Sequence, residues 1–235
     1  MKEDTEFQLP IETSVESQTM EWAKKTSRAF AKLMSYYRCA MLEMETRFNV
    51  LNEEYLLENG RSPINTVKSR LKTLPSLQEK VKRRNIPFSL EEIEAEIHDI
   101  AGVRVICAFP EDVYTVADAL LKQDDILLIK QKDYIANPKP NGYRSLHLIV
   151  AVPVYLSAGK RMTKVEIQIR TIAMDFWASL EHQLRYKQET VFTEEMAQEL
   201  YECAQLSAAL DTRMDNLRKS VIDHHYQENC EEAIE

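Results

Sequence analysis

Two stretches of aliphatic and β-branched residues constrain the fold of this chain more than any other feature. Residues 144–152 and 162–170 are each long enough for a buried strand, and Ser157-Ala-Gly159 supplies a turn between them. Similar runs predict strands from Ile100 to Phe109 and from Ile126 to Tyr134. The centre of the chain is therefore expected to form an antiparallel or mixed β-sheet.

Helical periodicity precedes and follows this centre. An apolar stripe from Trp22 predicts a long helix that ends at Asn59-Gly60, because glycine is a common helix terminator. Helices are also predicted over 111–123 and 172–187. Between Met196 and Val221 the apolar positions alternate spacings of four and three, which makes an imperfect heptad seam. We expect that seam to pack on the long first helix or on another subunit.

The order of these elements predicts an α/β (α+β) fold in which helices flank a mixed β-sheet. Short helices are predicted to begin at Pro75 and after Ser89, where Ser89-Leu-Glu-Glu92 has the pattern of a capping box. The chain then divides into a flexible leader over 1–18, an N-terminal helix over 19–60, a central domain over 61–190 and a helical extension over 191–235.

Composition disfavours several common designs. The chain has four glycines and contains neither GxxxxGK[ST] nor GxGxxG, so a P-loop and a Rossmann site are both disfavoured. The four cysteines form no CxxC pair, the N-terminal sequence is acidic, and no apolar run approaches the roughly 20 residues of a membrane span. We expect a cytoplasmic protein with free thiols and no membrane association.

Charge is unevenly distributed along the chain. The net charge is −8, yet residues 61–84 contain eight basic residues and one acid. A basic segment in an acidic protein indicates a compact anionic ligand. The alternative is a solvated helix face, which would suit Lys80, Lys82, Arg83 and Arg84. Arg70 and Lys72 lie between prolines and are better candidates for contacting a ligand.

The first candidate cluster is His98-Asp99-Ile-Ala-Gly-Val-Arg104. Asp99 stands at the mouth of an apolar strand, where a carboxylate can hold a hard cation such as Mg²⁺. Gly102 allows a close backbone approach, and Arg104 can bind a phosphate bidentately. The alternative is a turn aspartate followed by a surface arginine.

The second candidate cluster is Val165-Glu-Ile-Gln-Ile-Arg170. In a strand, side chains two apart share a face, so Glu166, Gln168 and Arg170 point the same way. That face offers a second metal carboxylate and an amide for the substrate. The alternative is an ordinary exposed sheet surface.

The third candidate cluster runs from Asp133 to His147. Two prolines and an Asn-Gly pair rigidify a loop there. Lys139 offers a positive charge for a phosphate, and Tyr143 offers a ring on which a purine can stack. The alternative is a stiff surface hairpin.

These three clusters, in this order, resemble the synthetase domain of the RelA/SpoT family over about residues 61–190. The matching motifs are D-I-A-G-V-R, N-P-K-P-N-G-Y-R-S-L-H, E-I-Q-I-R-T and M-D-F-W-A-S-L-E-H. The chain is also similar in size to the small alarmone synthetases of that family. The resemblance implies a fold similar to polymerase-β-type nucleotidyltransferases, and Mg²⁺-dependent transfer of pyrophosphate from ATP to the 3′-hydroxyl of GDP or GTP.

The resemblance also implies roles for individual residues. Asp99 and Glu166 would hold Mg²⁺, and Glu166 would lie near the attacking hydroxyl as general base or as its orienter. His182 would support its helix. The cationic positions around ATP match Arg70, Lys80, Arg83 and Arg104. The positions that bind GDP or GTP match Lys72, Lys139, Asn141, Tyr143, His147, Gln168 and Glu181.

Departures from the family pattern indicate which branch of the family the chain resembles and which activity is not expected of it. Asn65-Thr-Val-Lys-Ser69 lacks the phenylalanine and glycine of the product-activated small synthetases, so the chain resembles the RelP-like branch without product activation. His-Asp pairs are limited to His98-Asp99 and Asp223-His224, which makes alarmone hydrolysis unexpected. Similar proteins form homotetramers, and two long amphipathic helices would suit that assembly.

Other functions stay open at this point. A nucleotidyltransferase would release pyrophosphate, but it usually needs closely spaced carboxylates on one strand, a pattern absent around Asp99. An inactive nucleotide- or RNA-binding module would have no need of both Asp99 and Glu166, and RNA binding through the basic segment stays open as a secondary property. His224, His225 and Cys230 could bind a transition metal, although no fourth ligand stands at a suitable spacing.

Overall fold

The structure is a computed structural model that describes the backbone of residues 15–87, 89–185 and 192–232, and side chains within 27–222. The first fourteen residues of the predicted leader lie outside the described residues, as do the side chains of His224, His225 and Cys230. Within the described ranges, no helix is long and apolar enough to cross a membrane.

The described residues form a five-stranded sheet with the order β1-β2-β5-β4-β3. β2 and β5 run parallel, and the other neighbouring pairs are antiparallel, so the sheet is mixed as predicted. The strands are β1 Ile64–Leu71, β2 Ala101–Cys107, β3 Leu127–Asp133, β4 Leu146–Leu156 and β5 Gly159–Thr171.

Helices flank the sheet, and their ends follow the sequence signals. The bounds are α1 Val15–Asn59, α2 Leu74–Arg83, α3 Leu90–Glu96, α4 Pro110–Leu121, α5 Ile172–Arg185 and α6 Glu194–Glu232. α1 starts inside the predicted leader and ends before Gly60, whose φ of +64° suits glycine. The hydroxyls of Thr73 and Ser89 accept hydrogen bonds from the first turns of α2 and α3.

One face of the sheet belongs to the hydrophobic core. Its strand residues, such as Val105 and Ile167, are fully buried, and so are Tyr37, Met44 and Phe48 of α1. α1 packs against β1, β2, β4 and β5, and α4 packs against β2 and β5. Burial of each large side chain stabilises the fold by about 1.5–3 kcal/mol. The core therefore fixes the sheet rigidly from one side.

The opposite face of the sheet carries polar side chains in register. Lys68 pairs with Arg104, Arg104 pairs with Gln168, and Gln168 pairs with His147. Paired residues on neighbouring strands lie on the same face. Sheet pairing therefore gathers side chains from four strands that are distant in sequence.

The structure differs from the sequence expectations at β1 and at one of the two alternatives for α6. β1 was not predicted as a strand, because it is an edge strand in which only Ile64 is buried and polar residues dominate. α6 packs mainly on α5 and α4 in the described part of the chain, rather than on α1. Of its heptad seam, Leu200 is buried, whereas Leu210 and Leu217 are exposed.

Candidate active site

A cavity of about 620 Å³ lies on the polar face of the sheet, bordered by α2 and by His182 of α5. Six cationic side chains and three carboxylates line it, so it carries an excess of positive charge. Eight residues predicted from the sequence meet here: Arg70, Lys72, Lys80, Arg83, Asp99, Arg104, Glu166 and Gln168. Five of the eight basic residues of the segment 61–84 therefore line the cavity, and the interpretation of Lys80 as part of a solvated face is wrong.

Asp99 lies just before β2 and forms a lysine cluster with Lys72 and Lys80. Both ammonium groups contact its Oδ2, at 2.9 Å for Lys72 and 2.5 Å for Lys80. Burial alone would raise the pKa of Asp99, but the hydrogen bonds and charges of the two lysines lower it. Burial lowers the pKa of Lys80 and the charge of Lys72 lowers it further, while Asp99 opposes both. One carboxylate is thus shared by two cations.

Glu166 projects from β5 at the position paired with Gly102 of β2. Its Oε2 accepts a hydrogen bond from Gln168 at 3.0 Å, and its Oε1 lies 3.5 Å from Nδ1 of His147. Burial tends to raise the pKa of Glu166, but the interactions with His147 and Gln168 outweigh burial and lower it. Glu166 is therefore ionised at neutral pH.

His147 of β4 contacts the cavity residue Glu166, and Tyr143 of the loop that precedes β4 contacts His147. The Tyr143 hydroxyl contacts Nε2 of His147 at 2.8 Å. The Lys139 ammonium lies 4.6 Å from the centre of the Tyr143 ring and 4.8 Å from that of Tyr134. These are cation–π distances. The third predicted cluster is therefore folded into one aromatic group next to Glu166.

The loop before β4 is held in place by a close approach to α6. Gly142 has a φ of +86°, and a Cβ there would meet the Ala204 side chain at 2.5 Å. The loop also places the Asn141 amide 3.4 Å from Oε1 of Glu181 on α5. Because Trp177 of α5 donates to the Leu200 carbonyl of α6, both supporting helices are fixed to each other. Asn141 and Glu181 thus lie together, outside the cavity lining.

The sequence interpretation missed Asp175 and the part played by Arg170. Oδ1 of Asp175 lies 3.2 Å from Nη1 of Arg104 and 3.3 Å from Nη1 of Arg170, and Lys68 approaches its Oδ2 at 3.7 Å. The spacing of Glu166, Gln168 and Arg170 indicated a shared face, but not that Arg170 is almost fully buried. A strand prediction for β1 would have put Lys68 on the same face as Arg70, and so on the face that lines the cavity.

Residues 69–191 match the family described as "Region found in RelA / SpoT proteins". The chain is also 45% identical over 185 residues to GTP pyrophosphokinase YwaC of Bacillus subtilis, covering 79% of this chain and 88% of that relative. The chain belongs to the RelA/SpoT family. The predicted resemblance is confirmed, and the match falls close to the predicted central domain.

Solved structures of RelA/SpoT-family proteins share this fold. The crystal structure of small alarmone synthetase 2 from Bacillus subtilis has a TM-score of 0.75 and 43% identity, covering 81% of this chain and 98% of that chain. The structure of small alarmone synthetase 1 from the same organism, bound to its product pppGpp, has a TM-score of 0.76 and 37% identity, covering 83% and 98%. The predicted fold class is therefore confirmed.

Proposed function

We propose that the chain is a GTP diphosphokinase of the stringent response. It transfers the β,γ-pyrophosphate of ATP to the 3′-hydroxyl of GDP or GTP, giving ppGpp or pppGpp and AMP. The observation that carries this function is the cationic cavity lined by Asp99, just before β2, and by Glu166 on the parallel neighbour β5, in a chain 45% identical to a GTP pyrophosphokinase. Pyrophosphate transfer needs positive charge and precise positioning more than covalent help from the protein.

ATP would lie along the part of the cavity formed by β1, β2 and α2. Arg70, Lys80, Arg83 and Arg104 line it, and they are the residues we assign to the ATP phosphates. Arginine binds phosphate through two parallel hydrogen bonds, whereas lysine acts as a point charge. Burial and the nearby Arg170 lower the pKa of Arg104, while Asp175 opposes that change. The negative charge of an incoming phosphate would neutralise part of the positive charge of these four side chains.

The acceptor nucleotide would lie toward the loop before β4. We assign guanine stacking to Tyr143, because an aromatic ring binds a base face at about 1–3 kcal/mol. Gln168 lines the cavity, and His147 lies against Glu166, which supports our assignment of both residues to the ribose end. The remaining residues that we assign to GDP or GTP are Lys72, Lys139, Asn141 and Glu181.

Glu166 would act on the 3′-hydroxyl of the acceptor. An ionised carboxylate accepts a hydrogen bond from the hydroxyl and aligns its oxygen for attack on the β-phosphorus of ATP. As the new oxygen–phosphorus bond forms, the proton leaves along that hydrogen bond and AMP departs. The lowered pKa of Glu166 keeps this acceptor available at neutral pH.

Asp99 and Glu166 fit a magnesium site. In the described part of the structure no partner reaches the buried Oδ1 of Asp99, and no group of three or more His, Cys, Asp or Glu side chains could hold a metal. One or two carboxylates together with substrate phosphates are the usual protein ligands of Mg²⁺. When bound, Mg²⁺ would neutralise phosphate oxygens.

Radiolabelled substrate tests the function directly. We would incubate the pure protein with Mg²⁺, γ-labelled ATP and GDP or GTP, and separate the nucleotides. We expect label in ppGpp or pppGpp, and loss of that product in Glu166→Gln by about 10³-fold or more. Glu94→Gln is the matched control, since Glu94 pairs with Arg161 away from the cavity. Label released as pyrophosphate would indicate a nucleotidyltransferase, and label retained in ATP would indicate a binding module.

We further propose a homotetramer, the RelP-like branch without product activation, and residues 61–190 as the synthetase domain. Exposed apolar residues on α6, such as Leu206, Leu210 and Leu217, support self-association. Light scattering would test the tetramer, and a mass of one chain would contradict it.

We assign the protein to the cytoplasm, because Cys39 and Cys107 are free thiols and the proposed substrates are cytoplasmic nucleotides.

A further inference from the structure

We propose that Arg170 is a positioning residue that fixes the direction of two polar contacts made to Glu166, the hydrogen bond from Gln168 and the approach of His147. The inference rests on the proposed role of Glu166 in the transfer. Arg170 projects from β5 on the polar face of the sheet, and its side chain is 5% exposed. Together with Tyr143, His147 and Gln168 it forms what we call the arginine network.

The first route from Arg170 to Glu166 passes through Tyr143 and His147. Nη2 of Arg170 donates to the Tyr143 hydroxyl oxygen at 2.6 Å. A guanidinium has no acceptor, so the hydroxyl must direct its own proton elsewhere. Its other partner is Nε2 of His147 at 2.8 Å, which therefore accepts.

The direction of the hydrogen bond from the Tyr143 hydroxyl to His147 sets the tautomer of His147. A neutral imidazole carries one proton, so an accepting Nε2 leaves that proton on Nδ1. Nδ1 is the atom that lies 3.5 Å from Oε1 of Glu166. His147 therefore presents an N–H, and not a lone pair, to the carboxylate.

The second route passes through Gln168. Nη2 of Arg170 also donates to Oε1 of Gln168 at 2.8 Å, which fixes the amide with its oxygen toward the arginine. The amide nitrogen is then free to donate to Oε2 of Glu166 at 3.0 Å. Each oxygen of Glu166 thus has a donor whose direction depends on Arg170. The carboxylate stays ionised and cannot rotate freely.

Arg170 is itself firmly anchored. Its Nε donates to the Ser145 hydroxyl at 3.3 Å, and its Nη1 donates to Asp175 at the same distance. Ser145 and Asp175 are both buried. A buried guanidinium with a partner at every nitrogen holds one orientation, which is what a positioning role requires.

Nuclear magnetic resonance of histidine side chains tests this inference without an activity assay. Long-range ¹⁵N–¹H spectra of the full chain would be recorded near pH 8.5, about two units above the ordinary histidine pKa. The spectrum of His147→Gln assigns the signals of His147. We expect the Nδ1–H tautomer in the unmodified protein, and a change toward Nε2–H in Arg170→Met. We also expect a fall in kcat of about tenfold or more, with the KM for ATP within about twofold.

Two further variants keep the test decisive. Tyr143→Phe keeps the aromatic ring but removes the hydroxyl link, so it should change the His147 tautomer even if Arg170→Met fails to fold. Arg47→Met is the matched control, because Arg47 pairs bidentately with Asp125 far from the polar face. It should leave the tautomer unchanged.

Two results would overturn the proposal: an Nε2–H tautomer in the unmodified protein, or an Nδ1–H tautomer that persists in Arg170→Met and Tyr143→Phe. The role of Glu166 has its own separate test. Full synthesis by Glu166→Gln would overturn that role whatever the tautomer spectra show.

Discussion

The lysine cluster around Asp99 and the arginine network around Glu166 hold their carboxylates in different ways. Lys72 and Lys80 converge on one oxygen of Asp99, whereas the partners of Glu166 use both of its oxygens. The other oxygen of Asp99 is buried with no partner among the described residues. Asp99 is therefore arranged to exchange partners, and Glu166 is arranged to stay in place.

This difference suits the two tasks that we assign to the carboxylates. Lysine side chains are flexible, and their ammonium groups can move from a carboxylate to a phosphate. The arginine network consists of directional hydrogen bonds between buried or half-buried groups, which rigidify one another. One site can thus combine a mobile ion cluster around one carboxylate with a rigid hydrogen-bond network around the other.

Removing the carboxylate of the lysine cluster should have the largest effect. We expect Asp99→Asn to lower kcat/KM about 10³-fold, equivalent to about 4 kcal/mol, because a charge that aligns the ATP phosphates is lost. Calorimetry should show GDP binding unchanged within about twofold, since the arginine network is intact and Lys72 keeps its charge. A loss of GDP affinity as large as the loss of activity would show that the two regions are not separate.

Asp175 connects the arginine network to Arg104, which we assign to the ATP phosphates, because it contacts both Arg104 and Arg170. We expect Asp175→Asn to raise the KM for ATP about tenfold, equivalent to about 1.4 kcal/mol, with a smaller change in kcat. Asp112→Asn is the matched control, since Asp112 is buried and pairs with Arg61 outside the cavity. Asp112→Asn should lower the melting temperature but leave the KM unchanged. Equal KM values in both variants would indicate only a structural role for Asp175.

The smallest effect is expected behind the loop before β4, where Asp211 of α6 accepts a hydrogen bond from Thr171 at 2.5 Å. Burial raises the pKa of Asp211, although Thr171 opposes that change. A raised pKa in the folded state means that its favourable contribution to stability is complete below the ordinary pKa of 3.8 and is lost as pH rises through the folded-state pKa.

Asp211→Asn should therefore be slightly more stable than the unmodified protein at neutral pH, by less than about 1 kcal/mol, because the neutral amide can still accept from Thr171. The difference should vanish near pH 3. Urea unfolding at several pH values measures it. A variant less stable at pH 7 than at pH 3, relative to the unmodified protein, would contradict the assignment.

The predictable parts of this protein were those encoded locally. Period-two spacing placed Glu166, Gln168 and Arg170 on one face, and the Asn-Gly pair at Gly142 predicted the tight loop. The buried strands β2 and β5 have strong apolar patterns. β1 was missed because an edge strand beside a cavity keeps polar residues on both faces.

The sequence alone determined the family, the mixed sheet and the residue types available for a cationic site, because strand periodicity and motifs act over short distances. Only the tertiary structure decided that Asp99 is shared by Lys72 and Lys80, and that Asp175 connects Arg104 to Arg170. Those contacts depend on strand register and on helix packing across the sheet. Burial then converts ordinary surface residue types into groups whose charges and hydrogen bonds must be satisfied inside the protein.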